Sequence, residues 1–409
     1  MPPDGSAATR VAMLAHTYYL RDPRVRREAE ALAANGFEVH VVCLSEKRNG
    51  SEPYLTTVNG VRIHRLPVTR RRGSSLRYFY EYLLVGVLGA LRLARLHFQS
   101  RLRVVHVHNM PDILVLAAAI PRLAGSKVIL DVHDPMPELY MSWNHRAGSL
   151  LVKLLRIQEK ISHAFADRII SVNESMRENL HAKGVADDKI FIVNNFPDER
   201  LFPLCDTPKS WPRSREGLVL LYCGTVTEHY ELGLAVKALA RLRGEVPVKL
   251  RIVGEGNKLS DVLSLASKLG VADAVEHVGS VPIERVRDEM QKADVGISCH
   301  RAGIFGDLYF STKIVEYLTQ GLPVLTARTY TINKYLSDDI VFYFEAGNDA
   351  ALADSLRFMW NHPGEVVRRL TQARQLVPRL SWQAERVKFL SFYADLVNAQ
   401  RPTARALAS

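Results

Sequence analysis

The segment VAMLAHTYYLRDPRVRREAEALAANGFEVHVVC, residues 11–43, carries the pattern that decides the fold. It opens with the apolar run Val11–Ala15 and closes with a second run, Glu38–Cys43, and each predicts a strand. Between them, apolar residues recur at helical spacing over Val25–Asn35, and Gly36 is placed to end that helix as its C-cap. A strand, a helix and a strand in this order predict a βαβ unit with parallel strands.

The same alternation continues along the chain. The first half contains a long amphipathic pattern at Leu150–Phe165 and further predicted strands at Val104–His108, Lys127–Leu130, Arg168–Val172 and Ile190–Val193. The second half repeats the theme, with predicted strands at Leu218–Tyr222, Val248–Val253, Ala274–His277, Val295–Ser298 and Pro323–Thr326. The sequence therefore predicts an α/β protein built from two doubly wound, Rossmann-like domains.

A segment rich in proline and charge separates the two series, and a length of 409 residues suits two domains. We predict an N-terminal domain, a linker, a second domain, a C-terminal helix and a flexible tail over residues 1–199, 200–216, 217–380, 381–400 and 401–409. In that helix, the residues predicted to share one face are Trp382, Val387, Leu390 and Ala394. Ligands of such folds bind outside the carboxyl ends of the strands, so we expect the chemistry in a cleft between the two domains.

Composition excludes several classes of protein. Charged residues make up 24% of the chain and hydrophobic residues 47%, which is ordinary for a globular protein and unlike a disordered one. The net charge of +11 favours an anionic partner. No two of the four cysteines have the spacing of a zinc site or a disulfide framework.

The first residues lack the apolar core of a signal peptide, and the longest apolar run, Leu83–Leu91, is too short to span a membrane. A cytoplasmic location is therefore expected.

The densest chemical signal is FSTKIVEYLTQGLPVLT, residues 310–326. Ser311 or Thr312 can cap a helix that begins at Lys313, and the free N–H groups of a helix N-terminus suit a diphosphate. Lys313 adds a cation there, and Glu316 lies one turn further on the same face, where it can accept hydrogen bonds from ribose hydroxyls. The same spacing also fits an ordinary capped helix with a surface ion pair, so the pattern alone leaves both interpretations open.

Six blocks of sequence, in order, resemble the family 4 retaining glycosyltransferases of the GT-B fold. The most specific block is TKIVEYLTQGLPVLT, and another is CGTVTEHYELGLAVKALARL at the start of the second domain. Other resembling blocks are HTYYLRDPRVRREAEALAANGFEVHVV, VVHVHNMPDILVLAAA, VILDVHDPMPELY and LRIVGEGNKL. The resemblance covers residues 9–395. It implies an enzyme that moves a sugar from a nucleotide diphosphate sugar to an acceptor hydroxyl in polysaccharide, glycolipid or glycoconjugate biosynthesis.

The resemblance implies roles for matching residues of the second domain. Glu316 matches the residue that binds the nucleotide ribose, and Ser311, Thr312 and Lys313 match the place of the donor phosphates. Loops that approach the nucleotide are matched by Gly224, Thr225, Gly254 and Val281. Each also has a plain structural interpretation, a turn for the glycines and a core position for Val281.

One further match lies in the first domain. His133, in the sequence DVHD, matches a histidine that reaches the transferred sugar, and we predict it to be catalytic together with Lys313. Glu138 follows five positions later, and its sequence context fits two interpretations, a site residue and a helix cap.

The sequence departs from the family pattern in two places. A second glutamate is common eight residues before the ribose glutamate, but Leu308 stands there, with Asp307 beside it. Asp307 is a candidate catalytic acid, although a loop residue at the surface fits equally well. Thr225 and Tyr230 stand where many members have an arginine and a lysine. Lys313 is therefore the first candidate to stabilise the leaving diphosphate, and Arg301 the second.

The expected mechanism needs neither metal nor cofactor besides the nucleotide sugar. In a retaining transfer the departing phosphate can accept the proton of the acceptor hydroxyl, while helix N–H groups and Lys313 stabilise its charge. The sequence contains no Asp-x-Asp motif, which fits a metal-independent enzyme.

Residues 62–103 are strongly basic, with ten arginines and one acid, Glu81. Arginine mixed with aromatic residues and leucine at helical spacing predicts a peripheral contact with an anionic membrane, which suits a lipid-linked or saccharide acceptor. The alternative is a solvated basic loop followed by a buried helix. A nucleic-acid partner is not expected, because no binding module is recognisable.

Two other functions are kept as alternatives. Sugar-nucleotide 2-epimerases share the architecture, and a non-catalytic GT-B partner subunit would explain the missing glutamate at position 308 and the missing basic pair. Conversion of a nucleotide sugar without acceptor would identify the isomerase, and absence of nucleotide binding would identify the partner subunit.

Overall fold

The computed structural model describes residues 8–46, 53–70, 75–144, 147–205, 211–212 and 216–398. It contains two compact units. The first unit is formed by the chain up to Asn194 and again from Arg386, and the second by Asn195–Glu385.

The first unit is a parallel α/β layer structure. Its strands are β1 (Arg10–Leu14), β2 (Glu38–Leu44), β3 (Leu55–Val58), β4 (Val61–Leu66), β5 (Val104–His108), β6 (Lys127–Val132), β7 (Arg168–Ser171) and β8 (Ile190–Ile192). Its helices before residue 194 are α1 (Pro23–Ala34), α2 (Ser75–Ser100), α3 (Ala119–Leu123), α4 (Met136–Asn144), α5 (Leu150–Phe165) and α6 (Glu174–Ala182). A 3-10 segment, Asp112–Ala118, follows β5.

In the described residues the strands form one sheet in the order β3-β4-β2-β1-β5-β6-β7-β8. Every neighbouring pair is parallel except β3 and β4, which form an antiparallel ribbon at the edge. The central strands are buried on both faces, as parallel strands require, and β1 is apolar from Val11 to Leu14. Strand order reverses between β1 and β5, so the loops after these strands lie at the switch point where ligands of such folds bind.

The second unit repeats this design on a smaller scale. Its strands are β9 (Leu218–Cys223), β10 (Val248–Val253), β11 (Val275–Gly279), β12 (Val295–Ser298), β13 (Val324–Arg328) and β14 (Phe342–Glu345). Its helices are α7 (Gly233–Leu242), α8 (Leu259–Lys268), α9 (Ile283–Met290), α10 (Thr312–Thr319), α11 (Tyr330–Tyr335), α12 (Asp349–Asn361) and α13 (Pro363–Leu376).

The strand order of this unit is β11-β10-β9-β12-β13-β14, with parallel neighbours throughout the described residues. It is the order of the dinucleotide-binding fold, whose switch point lies between the first and fourth strands, here β9 and β12. The loops after β9, β10 and β12 therefore meet at one edge of the sheet.

Helix α14 (Trp382–Asn398) begins in the second unit and ends in the first. The Tyr393 hydroxyl lies 2.8 Å from Nδ1 of His106, and Phe392 stacks on Phe191. The predicted apolar face of this helix is wrong, because Val387 is 66% exposed. The buried side chains instead follow a stripe shifted around the helix, at Trp382, Glu385, Phe389, Phe392, Tyr393, Leu396 and Val397.

Helix α2 presents apolar residues on two faces. Val85, Gly89 and Leu93 face the interior, whereas a second stripe at spacings of three, four and seven is exposed and consists of Tyr80, Leu83, Val87, Leu91 and Phe98. Helix α5 has a similar exposed stripe of Leu150, Leu154, Ile157 and Ile161. Both helices pack against the 3-10 segment Asp112–Ala118. No helix in the described part of the chain has the length and apolar character needed to cross a membrane.

Candidate functional site

Helix α10 begins with unpaired donors. Ser311 is its N-cap, but the Ser311 side chain makes no capping hydrogen bond, and its buried Oγ has no partner in the described part of the chain. The first helical backbone N–H that finds a carbonyl is that of Ile314, which donates to Ser311 at 3.2 Å. The N–H groups of Thr312 and Lys313 thus remain available, as an anion site at a helix N-terminus requires.

Glu316 lies one turn into this helix and is partly exposed. Within the described residues its carboxylate has no hydrogen-bond partner, and burial raises its pKa to about 7 while Lys313 acts in the opposite direction. Glu316 also lies near Cys223 at the end of β9. Burial raises the pKa of the Cys223 thiol to about 12, and the charge of Glu316 acts in the same direction. A carboxylate without an internal partner is suited to accept hydroxyl hydrogen bonds from a ligand.

The glycine-containing loops after β9 and β10 lie against each other. Gly224 donates its N–H to Val253 at 2.8 Å, and Gly254 donates its N–H to Gly279 at 2.8 Å. Gly224 and Gly254 have φ of +141° and +135°, and a Cβ on Gly254 would collide with the carbonyl oxygen of Gly224. Both positions therefore need glycine.

Lys313 crosses this loop. A Cβ on Gly224 would lie 2.8 Å from the Lys313 Nζ, and that Nζ lies 4.1 Å from the centre of the Tyr230 ring. Among the described residues no carboxylate forms an ion pair with Lys313. The predicted donor residues Gly224, Lys313 and Glu316 are therefore brought to the end of β9.

An aromatic group around Lys313 was not predicted as site machinery. The Tyr230 ring packs edge-on against His300 at 4.8 Å, and its hydroxyl lies 3.2 Å from that of Tyr309. His300 is buried, and its Nε2 has no partner among the residues that the structure describes. Burial, together with the nearby Lys313, lowers the pKa of His300 to about 3. The sequence could have indicated His300 by its position in the chain, since it follows β12, the strand that lies beside β9 in the sheet.

The remaining predicted residues of this unit lie in loops. Thr225 is exposed after Gly224, and its carbonyl accepts the Tyr222 hydroxyl at 2.7 Å. Val281 lies between β11 and α9 and packs partly against the core. Arg301 follows β12 but is half exposed, and its Nε lies 3.8 Å from Glu231. Arg301 is thus a weaker candidate for phosphate support than Lys313.

The carboxylate of Asp307 accepts hydrogen bonds from backbone N–H groups of its own unit. One carboxylate oxygen accepts the N–H of Gly303 at 3.0 Å, and the other accepts the N–H of Tyr330 at 2.9 Å. Its carbonyl accepts the Thr331 hydroxyl at 2.6 Å. Asp307 thus ties the loop before α10 to the start of α11, which favours the structural alternative over a catalytic role.

His133 follows β6 in the first unit and keeps 22% of its side chain exposed. Its Nε2 lies 3.0 Å from Asp131 and its backbone N–H donates to Asn109 at 2.8 Å. Since the carboxylate of Asp131 accepts, we assign the Nε2 proton of His133 to this contact, which leaves Nδ1 for a ligand. This arrangement fixes the ring at the carboxyl edge of the sheet.

Beneath His133 lies a buried group of charged and polar side chains. Arg24 on α1 donates to Asp131 at 2.6 Å and its Nε lies 3.3 Å from Glu28. Burial opposes the ionisation of Asp131, but Arg24 and His133 outweigh it and hold the pKa of Asp131 well below its usual range. Burial lowers the pKa values of His106 and His108, so both rings are neutral at neutral pH.

Four side chains of this group could hold a metal ion, since one ligand atom from each lies within 4.8 Å of the others: Glu28, His106, His108 and Asp131. The donor set of two imidazoles and two carboxylates fits zinc chemically. Arg24, however, contacts both carboxylates and already supplies the positive charge that a metal would bring. We therefore interpret the group as an internal charge network.

Glu138 belongs to a separate ion-pair group. Its carboxylate accepts Lys183 Nζ at 2.9 Å, and Glu159 accepts the same Nζ at 2.7 Å. Lys183 thereby links α4 to α5, so Glu138 has a structural role.

The basic segment 62–103 divides between the sheet and the surface. Arg62 pairs with Glu38, Arg65 is buried, and Arg92 lies 2.5 Å from His64, so these three charges are used within the fold.

Arg77 and Arg95 are exposed on α2, whereas Arg71 and Arg72 lie outside the described residues. The charges of residues 62–103 are therefore divided between contacts within the fold and the exposed surface of α2.

Two family models match the chain and together cover most of it. The Glycosyl transferase 4-like domain matches residues 22–195, and Glycosyl transferases group 1 matches residues 206–376. The first match contains His133 and the second contains the residues around Lys313 and Glu316.

Individual relatives are distant. The gpi3 subunit of the Schizosaccharomyces pombe phosphatidylinositol N-acetylglucosaminyltransferase is 23% identical over 78% of this chain, a match that spans 65% of that subunit. The N-acetyl-alpha-D-glucosaminyl L-malate synthase of Bacillus anthracis is 22% identical over 67% of this chain and 70% of its own length. Among solved structures, sucrose-phosphate synthase from Thermosynechococcus elongatus superposes with a TM-score of 0.77 at 16% identity, covering 96% of this chain and 100% of that one. The structural likeness establishes the shared fold.

Proposed function

The chain belongs to glycosyltransferase family 4 and has the GT-B fold, and we propose that it is a retaining, metal-independent enzyme that moves a sugar from a nucleotide diphosphate sugar to an acceptor hydroxyl. The observation that carries this proposal is the set of unpaired groups at the start of α10, next to the Gly224 loop. Uncapped N–H groups, Lys313 and a carboxylate without a partner match the phosphates and ribose of a nucleotide.

In the proposed mechanism, the bond between the sugar C1 and the phosphate oxygen breaks as the acceptor oxygen bonds to C1 on the same face. The departing phosphate oxygen takes the acceptor proton, so no protein base is required. Lys313 and the N–H groups of α10 stabilise the negative charge that develops on the diphosphate. His133, held by Asp131, is proposed to contact the transferred sugar through Nδ1.

The identity of the sugar is a narrower proposal. The names of both relatives contain an N-acetylglucosaminyl group. We therefore place nucleotide-activated N-acetylglucosamine first among donors to be tested. One relative is named for a phosphatidylinositol acceptor and the other for malate. A lipid acceptor is favoured here by the exposed apolar stripes of α2 and α5.

The decisive experiment is thermal stabilisation by UDP-, GDP-, ADP- and dTDP-sugars in the presence of EDTA. We expect one nucleotide class to raise the melting temperature, and Glu316→Ala to abolish that rise while the protein still folds. Transfer to an acceptor should persist in EDTA, and strict metal dependence would contradict the mechanism. Failure of every nucleotide to bind would identify a non-catalytic subunit, and conversion of the nucleotide sugar without acceptor would identify an isomerase.

We also propose that α2 and α5 rest on an anionic membrane surface. Their exposed stripes carry large apolar side chains, with Leu150 73% and Phe98 76% exposed. Exposed cations accompany the stripes at Arg77, Arg95, Lys153, Arg156 and Lys160. Apolar side chains with basic neighbours are the pattern of interfacial helices, and each cation adds about 1 kcal/mol near an anionic surface.

Sedimentation with vesicles tests this location. Wild-type protein should bind phosphatidylcholine vesicles that contain phosphatidylglycerol more tightly than vesicles of phosphatidylcholine alone. Replacing Leu150, Leu154 and Ile157 by serine should weaken binding to both, whereas replacing Lys153, Arg156 and Lys160 by glutamine should remove the preference for the anionic vesicles. Equal binding by parent and variants would refute the proposed contact.

A further inference from the structure

Among the described residues, Lys313 is held by an aromatic ring and forms no ion pair with an acid. Its Nζ lies 4.1 Å from the centre of the Tyr230 ring and 5.7 Å from that of Tyr222. A cation at this distance from the face of a ring is attracted by the negative potential of the ring. A carboxylate partner would cancel most of the charge of Lys313, whereas a ring fixes the side chain and leaves its charge to act on an anion.

Tyr230 is itself fixed from several sides. Its ring packs edge-on against His300 and Tyr222, its hydroxyl lies 3.2 Å from the Tyr309 hydroxyl, and its backbone forms a β-bridge with His300. These contacts come from strand β9 itself and from the loop after β12, the two strands at the switch point. Tyr230 is therefore a rigid platform.

Gly224 also lies against the Lys313 side chain. A Cβ at Gly224 would lie 2.8 Å from the Lys313 Nζ and still closer to its Cε, so any side chain there would displace the lysine. Tyr230 and Gly224 thus confine the lysine side chain to the loop after β9, beside the uncapped N-terminus of α10.

We propose that Tyr230 is a positioning residue that holds Lys313 in place to bind the terminal phosphate of the nucleotide diphosphate. This inference rests on the proposed function and adds to it the residue that positions Lys313, the cation expected to stabilise the diphosphate. The base and ribose are bound elsewhere in the site, through Glu316 and the loop at Val281. Tyr230 therefore contributes to discrimination between a diphosphate and a monophosphate.

The test measures the affinities of matched diphosphates and monophosphates (UDP and UMP, GDP and GMP, ADP and AMP, dTDP and dTMP) by calorimetry. The quantity of interest is the ratio of the two dissociation constants for the base that binds. Tyr230→Leu should lower the preference for the diphosphate about five- to tenfold, which corresponds to the loss of one cation–π contact. Lys313→Met should lower it at least as much, and the double variant should resemble Lys313→Met, because both changes remove one interaction.

Two further variants make the test specific. Tyr230→Phe keeps the ring and should restore the preference lost in Tyr230→Leu. Tyr343→Leu removes a comparable ring under Arg328, whose guanidinium carbon lies 4.0 Å from the ring centre in the same unit, and it should leave the preference unchanged.

Three results would overturn the inference. Equal losses of monophosphate and diphosphate binding in Tyr230→Leu would show that the residue only supports the fold. Tighter diphosphate binding in that variant would show that the ring withholds the lysine from the ligand. Absence of binding by any nucleotide would remove the proposed function together with this inference, whereas nucleotide binding with an unchanged ratio would remove this inference alone.

Discussion

In the first unit, Arg24 contacts both Asp131 and Glu28, so the buried charges compensate one another within the fold. In the second unit, the charge of Lys313 rests on an aromatic ring, and Glu316 has no hydrogen-bond partner among the described residues. Removing the charge of Asp131 should therefore destabilise the first unit, whereas removing the charge of Glu316 can stabilise the second. A charge whose removal stabilises the protein is a sign of a ligand site, because binding residues are retained at a cost to stability.

The largest expected effect is on the stability of the first unit. Asp131→Asn removes the charge that compensates the buried Arg24, and breaking a buried pair in this way costs about 3–5 kcal/mol. Chemical denaturation followed by circular dichroism measures the loss.

The matched control is Asp338→Asn, which removes an exposed ion pair with Arg328 and should cost less than about 1 kcal/mol. A near-parental stability of Asp131→Asn would contradict the compensation described here. A melting temperature that falls on treatment with a chelator would show instead that a metal ion holds the four potential ligands.

Glu316→Gln should change stability and binding in opposite directions. The fold raises the pKa of this acid from about 4.5 to about 7, so the ionised form destabilises the folded state and stability falls as the pH rises between these values. At pH 8, the amide should therefore stabilise the protein by about 1 kcal/mol, below the full value of the shift because the carboxylate is partly exposed. Nucleotide affinity should fall about tenfold or more, since two hydrogen bonds to a charged acceptor are lost.

Thermal melts at pH 8 and near pH 4.5, with Glu284→Gln as an exposed control, check the stability change. The gain should be present at the higher pH and absent at the lower. A destabilised variant with unchanged affinity would place Glu316 among ordinary structural residues and remove the contrast between the two units.

The affinity for a nucleotide sugar should depend on pH through the same carboxylate. Ribose hydroxyls donate to the ionised form, and protonation of Glu316 removes an acceptor, so affinity should fall as the pH drops below about 7. The diphosphate of a nucleotide sugar carries no group that titrates in this range. Calorimetry between pH 6 and pH 8 measures the trend, and Glu316→Gln should flatten it. A parental pH dependence in that variant would assign the titration to another group.

The smallest expected effect belongs to Asp307. Its two oxygens accept backbone N–H groups, and asparagine keeps one acceptor, so Asp307→Asn should cost about 1 kcal/mol of stability. The turnover of a folded variant should stay within about fivefold of the parent. A loss of turnover of more than about a hundredfold, without a change in stability, would show instead that Asp307 has a catalytic role.

Much of the fold could be predicted because the strands of a parallel sheet are short apolar runs between helices. The predicted bounds of Val104–His108, Leu150–Phe165, Val248–Val253 and Val295–Ser298 match the structure. The ribbon of β3 and β4 was missed, since its exposed edge strand, Leu55–Val58, has no apolar run. Strand β14, Phe342–Glu345, was also missed, although residues 340–344, IVFYF, form an apolar run typical of a strand.

The site was predictable where its residues are close in sequence. Lys313 and Glu316 share helix α10 and Ser311 is its N-cap, so their spacing predicted that the three residues lie together, whereas their role as a donor site was implied by the resemblance. Asp307 bonds to Tyr330, 23 positions away, and the pairing of Tyr230 with Lys313 depends on how the loop after β9 meets helix α10. The buried network below His133 was missed for the same reason, since Arg24 and Asp131 are 107 positions apart.

The return of helix α14 has a consequence for synthesis. A ribosome makes residues 386–398 after all of the second unit, yet Tyr393 completes the first unit by bonding to His106. The sheet that is translated first must therefore wait for its last helix, while the second unit can fold as soon as it has emerged. Until then the apolar surface that Phe392 covers at Phe191 stays open, and exposed apolar surface of this kind promotes aggregation of a nascent domain.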